Sequence, residues 1–162
     1  VEYLGLVIKE EVERLPAEGK VVVGGFSMGC AMSVFLLMSG ELERLGVEDR
    51  VAGLVGWSGW VQFRRQIEEA VGKGDVRGFV RRLVGLREWD EGWDGDGRGF
   101  KVWLGHGKED EKVLLEWGTQ MRDLLTMMGY EVSWNEYAGL GHWYLPGELE
   151  DIVRFVEQAV QI

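Results

Sequence analysis

The chain of 162 residues is 46% hydrophobic and 28% charged, with a formal net charge of −10. A single domain over 1–162 is expected, able to bury about 68–70% of its unfolded surface, and such a composition excludes intrinsic disorder. The acidic balance argues against nucleic acid or an anionic membrane as the main partner, and no apolar run is long enough for a membrane span.

The chain opens on Val1-Glu2-Tyr3-Leu4. It lacks a basic n-region, so no signal peptide is expected, and it lacks an initiator methionine, which points to a cut or processed chain. Leu4, Val7, Ile8, Val12 and Leu15 stand at helical spacing between Lys9, Glu10, Glu13 and Arg14 and predict an amphipathic helix, broken by Pro16 and Gly19. Val21-Val22-Val23 begins a buried strand, and the nearly uncharged stretch from Met28 to Met38 reads as a buried helix ending at Gly40. Cys30, the sole cysteine, lies in that helix and reads as core. It rules out an internal disulfide and suits a reducing compartment, so a cytoplasmic location is expected.

Residues 41 to 50 are polar around Leu42, Leu45 and Val47, and Val51 to Val55 is a second strand. Residues 61 to 87 predict two helical pieces broken near Gly72 to Gly74, and 88 to 99 a mobile loop. The arginines at 64, 65, 81, 82 and 87 read as a solvated helical face. Lys101 to Leu104 is a third strand, followed by a polar turn from Gly105 to Asp110. A long amphipathic helix runs from Val113 to Met128, a fourth strand covers Glu131 to Glu136, and a final helix carries Leu149, Ile152, Val153, Val156 and Val160. Alternation of this kind predicts an α/β fold: a mostly parallel sheet of about four strands with helices on both faces.

Gly25-Phe26-Ser27-Met28-Gly29 is a G-x-S-x-G match between a strand and a helix. There a sharp turn would lift Ser27 clear of the sheet, and the crowding calls for small residues two positions either side. Alone in a chain with 25 glycines the pattern is weak, and a serine that only caps the helix would fit it as well. Two further reactive residues fall at strand ends, Asp110 after the third and His142 after the fourth. The order Ser, Asp, His is that of α/β-hydrolases, and whole strand–helix units separate the three. A serine needs a base near neutrality, the base needs an acid to fix its tautomer, and the oxyanion needs N–H donors, of which Met28 N–H is one. Of the two histidines His142 is the preferred base and His106 the rival; Glu109 is the rival to Asp110. Two histidines and one cysteine are too few and too scattered for a zinc cluster, and no cofactor is expected. A phosphate held at the helix start behind Ser27 is another reading, but it leaves Asp110 and His142 unexplained.

These residues resemble the acyl-protein thioesterase/carboxylesterase (phospholipase/carboxylesterase) family of α/β-hydrolases, its fungal members in particular. Four segments carry the resemblance: Val23 to Ala31, Gly53 to Trp60, His106-Gly107-Lys108-Glu109-Asp110-Glu111-Lys112-Val113, and Gly141-His142 with Glu148 and Phe155. The resemblance implies hydrolysis of carboxylic esters or thioesters through an acyl-serine, with Ser27, Asp110 and His142 catalytic. It further implies acylated proteins, lysophospholipids or small esters as substrates. Trp57, Trp60, Trp143 and Leu145 could line an acyl site, with Trp60 and Trp143 the preferred pair.

The departures are specific. Met28 stands where glutamine is commoner, and Val61-Gln62 stands for Leu-Pro. Residues 61 to 99 read as a local elaboration, and nothing corresponds to the family's earlier strands, whose His-Gly loop gives a second oxyanion donor. The chain therefore looks like the C-terminal part of a partial α/β-hydrolase fold. The alternative function is a catalytically inactive fragment or interaction module.

Overall fold

A computed structural model describes residues 1–89, 97 and 99–160. Four strands, β1 (Val21–Phe26), β2 (Val51–Trp57), β3 (Lys101–Gly107) and β4 (Glu131–Tyr137), form one sheet in the order β1-β2-β3-β4. Every pairing is parallel. All four carboxyl ends therefore emerge along one rim, which is what brings residues distant in sequence together.

The strands run further than the apolar runs predict. β3 continues through Gly105-His106-Gly107 because these residues pair with Asn135, Glu136 and Tyr137 of β4. The expected polar turn thus begins only at Lys108, and His106 is a strand residue. The backbone ladder outweighs the low strand propensity of the two glycines.

The helices are α1 (Glu2–Arg14), α2 (Met28–Met38), α3 (Glu41–Arg44), α4 (Arg64–Gly72), α5 (Val76–Leu83), α6 (Leu115–Met127) and α7 (Pro146–Val160). α2 is buried around most of its circumference, as its uncharged sequence requires. It ends where Gly40 takes the left-handed conformation (φ +65°). Helices cover both faces. On one side the Cys30 sulfur of α2 packs against Gly56, where an added Cβ would lie 2.4 Å away. On the other the Phe155 ring of α7 packs against Gly53, 3.1 Å from a Cβ placed there. Leu36, Met38, Leu54, Leu104, Leu124 and Leu125 form the centre of the core, each worth about 1.5–3 kcal/mol in burial. Cys30 is fully buried, as expected, and burial pushes its thiol up to about 12.

One expectation is overturned. The arginine-rich stretch is not a uniformly solvated face, because Arg81 is only 1% exposed. Its guanidinium donates to Glu41 Oε2 and the Ser39 carbonyl, each at 3.0 Å, and to the Arg87 carbonyl at 2.7 Å. Buried Glu41 supplies the countercharge; burial raises its carboxyl, but Arg44 and Arg81 together hold it below the ordinary glutamate range.

β1 occupies one edge of the sheet, and α7 presents Leu149, Val153 and Val160 to solvent. No helix among the described residues is long and apolar enough to cross a membrane. Residues 90–96 and 98, most of the expected loop, lie outside the described residues.

Candidate active site

Ser27 links β1 to α2 with φ 56° and ψ −116°, a conformation that costs a non-glycine residue about 1–3 kcal/mol. Its N–H donates to the Trp57 carbonyl at 2.9 Å and its carbonyl accepts from Ala31 N–H at 3.1 Å, so both neighbours hold the strain in place. The turn brings α2 back over the strand. A Cβ at Gly25 would lie 2.3 Å from the Gly29 carbonyl carbon, so only glycine fits there. Gly29 differs from the motif reading: a Cβ there would meet nothing within 4 Å. The crowding falls on the strand side of the serine alone.

The loops after β3 and β4 supply the other two groups. Asp110 Oδ1 accepts the N–H groups of Lys112 and Val113, both at 2.9 Å. Asp110 Oδ2 lies 2.8 Å from His142 Nδ1, and His142 Nε2 lies 3.0 Å from Ser27 Oγ. A carboxylate oxygen accepts, so Nδ1 carries the proton and Nε2 is left to accept from the serine hydroxyl. Burial alone would push the Asp110 carboxyl up. The Val113 amide, His142 and the Lys112 amide together outweigh it and hold the group below the ordinary aspartate range.

The two rivals find other partners. Glu109 Oε2 accepts from Gly139 N–H at 2.7 Å, and Glu109 N–H donates to the Leu140 carbonyl at 3.0 Å. Glu109 therefore ties the Asp110 loop to the His142 loop. His106 is fully buried, with Nε2 2.8 Å from the Val113 carbonyl.

Phe26, the unspecified second residue of the motif, caps the histidine: its ring centroid lies 4.8 Å from that of His142. Sequence reading passed over it, although its place directly before Ser27 was the available signal. Trp143 meets Phe26 edge-on at 6.3 Å and stacks on Tyr144 at 5.1 Å while remaining 61% exposed. Trp60 is half-buried in the loop after β2; among the described residues no ring contact or hydrogen bond joins it to Ser27 or His142. The amides of Met28, Gly29 and Cys30 open α2 and have no acceptor within the helix, so this helix start can receive an anion beside Ser27.

Comparison with known proteins adds descent to this geometry. The family model described as Phospholipase/Carboxylesterase matches residues 1–85. Acyl-protein thioesterase 1 of Gibberella zeae is 28% identical over 157 residues, covering 97% of this chain and 55% of that protein. The protein of the same name in Aspergillus fumigatus is 26% identical over 160 residues, covering 98% of this chain and 55% of its own length. The chain thus spans about half the length of these curated relatives. The crystal structure of Zea mays acyl-protein thioesterase 2 superposes with a TM-score of 0.68 at 22% identity, covering 99% of this chain and 64% of that one. This last likeness is one of fold.

Proposed function

The chain belongs to the phospholipase/carboxylesterase family, and from that membership and the geometry we propose that it hydrolyses carboxylic esters or thioesters through an acyl-serine intermediate. The reading rests above all on one observation, the hydrogen-bonded series Asp110–His142–Ser27 with contacts of 2.8 and 3.0 Å. Ser27 Oγ attacks the acyl carbon while His142 Nε2 takes its proton. His142 then returns that proton to the leaving alcohol or thiol, which departs as the acyl-serine forms. A water deprotonated by His142 attacks the acyl-serine; the acyl–Oγ bond breaks, His142 returns the proton to Ser27 Oγ, and the carboxylic acid leaves. Asp110 stays charged throughout and stabilises the imidazolium; its depressed carboxyl suits that role. Met28 N–H is the proposed oxyanion donor, and an aligned donor of this kind contributes about 10²–10³ in rate.

An acyl chain is the proposed substrate group, with exposed Trp143 beside the histidine and Trp60 as its apolar contacts. Protein thioesters are the proposed substrate class, following the names of the fungal relatives. The test is labelling with a fluorophosphonate probe, which bonds to activated serines. Labelling of the wild type and none of Ser27→Ala supports the proposal. A folded wild type that takes no label, and turns over neither an ester nor a thioester, overturns it in favour of a non-catalytic module.

A further inference from the structure

We propose that His106 is a positioning residue for Asp110, a fixed neutral donor that aims the carboxylate at His142; this rests on the catalytic reading above. The Val113 carbonyl lies 2.8 Å from His106 Nε2, and a carbonyl can only accept, so Nε2 carries a proton. The same nitrogen is 3.6 Å from Asp110 Oδ2, the oxygen that faces His142. The positive end of the N–H dipole therefore lies beside the carboxylate. The Val113 peptide is gripped at both ends, its N–H by Asp110 Oδ1 and its carbonyl by His106. With Lys112 N–H on Oδ1 as well, two amides hold one carboxylate oxygen while the His106 ring lies beside the other, which meets His142.

The surroundings are built for the ring. His106 is fully buried, and its Nδ1 is buried with no hydrogen-bond partner. A proton on Nδ1 would have no acceptor, so the neutral Nε2–H form fits the site and the ring acts as a donor, not as a second base. Its space comes from Gly118 in the first turn of α6, where a Cβ would lie 2.4 Å from Nδ1. A glycine there costs the helix about 1 kcal/mol against alanine. The Trp134 ring flanks the imidazole, with centroids 6.1 Å apart.

The experiment compares wild type, His106→Gln, His106→Leu and Gly118→Ala. Glutamine retains an N–H donor near the position of Nε2; leucine fills the space without one. Three quantities are read: kcat and KM on a p-nitrophenyl ester, the thermal midpoint, and the downfield proton resonance of His142 Nδ1–H. The last needs no turnover. His106→Leu is expected to lower kcat about 10- to 100-fold with KM within about twofold, the cost of misplacing a group by about an ångström. It should also broaden or shift the His142 proton resonance. His106→Gln should recover most of both losses, and Gly118→Ala should reproduce the leucine variant with His106 still present.

The proposal is overturned if the resonance is unchanged in both His106→Leu and Gly118→Ala. It is equally overturned if glutamine loses as much as leucine in step with the thermal midpoint. Should His106→Leu not fold, the glutamine and Gly118→Ala variants decide. Should the wild type show no esterase activity, the catalytic reading fails, and the resonance still tests whether His106 orders the Asp110–His142 pair.

Discussion

Glu148 offers a quantitative test of the packing beneath the site. It lies in the first turn of α7, fully buried, and neither carboxylate oxygen makes a hydrogen bond of ordinary geometry. Oε1 sits where a Cβ on Gly105 would be only 2.6 Å away, so the carboxyl rests on the β3 backbone. Burial pushes it up from 4.5 to about 7; the Leu145 amide opposes this and the Asp151 charge adds to it. At about 1.36 kcal/mol per pH unit, the interval amounts to about 3 kcal/mol. The native state keeps its proton where the unfolded chain has lost it. Stability therefore falls as pH rises from about 4.5 to about 7 and is level above.

Glu148→Gln removes the ionisation and keeps the shape. Urea unfolding of both proteins at pH 5 and pH 8 isolates the effect, because the cost of burying the amide is common to both pH values. The variant should gain about 2–3 kcal/mol on the wild type between pH 5 and pH 8. A difference between the two proteins that is the same at both pH values would refute the reasoning.

The two glycines of the serine motif should respond in opposite directions. Gly25→Ala, with its methyl driven into the Gly29 backbone, should cost at least about 1–3 kcal/mol and abolish probe labelling. Gly29→Ala meets open space in the first turn of α2 and should raise the unfolding free energy by up to about 1 kcal/mol; a loss would count against the geometry. Arg81→Met should cost about 1.5–3 kcal/mol by denaturant titration, since Glu41 loses one charged donor but keeps both contacts to Arg44; no measurable loss would refute a stabilising role for the buried contact.

Much of this arrangement was legible because it is local. Apolar periodicity marks the four strands and the long helices, and a Gly-Phe-Ser-Met-Gly turn between strand and helix marks the proposed nucleophile, Ser27. With Asp110 and His142 after later strands, the parallel order itself implies that the three meet along one rim. The burial of Arg81 was not legible. In sequence it is one arginine among several, and it is drawn inside by Glu41, forty residues earlier on another helix. The extent of β3 was obscured in the same way, because Gly105-His106-Gly107 reads as a turn until β4 lies alongside.

Sequence by itself determined the alternating α/β order, the Ser–Asp–His order and the family resemblance, all of which depend on residue type and spacing along the chain. Only the tertiary structure shows that Asp110 rather than Glu109, and His142 rather than His106, stands in hydrogen-bond contact with the proposed site at Ser27. Each pair shares chemistry and neighbourhood, and the difference is where a side chain points after the loops close. Glu109 turns to the Gly139 amide and His106 to the Val113 carbonyl, while Asp110 and His142 turn to each other and to Ser27.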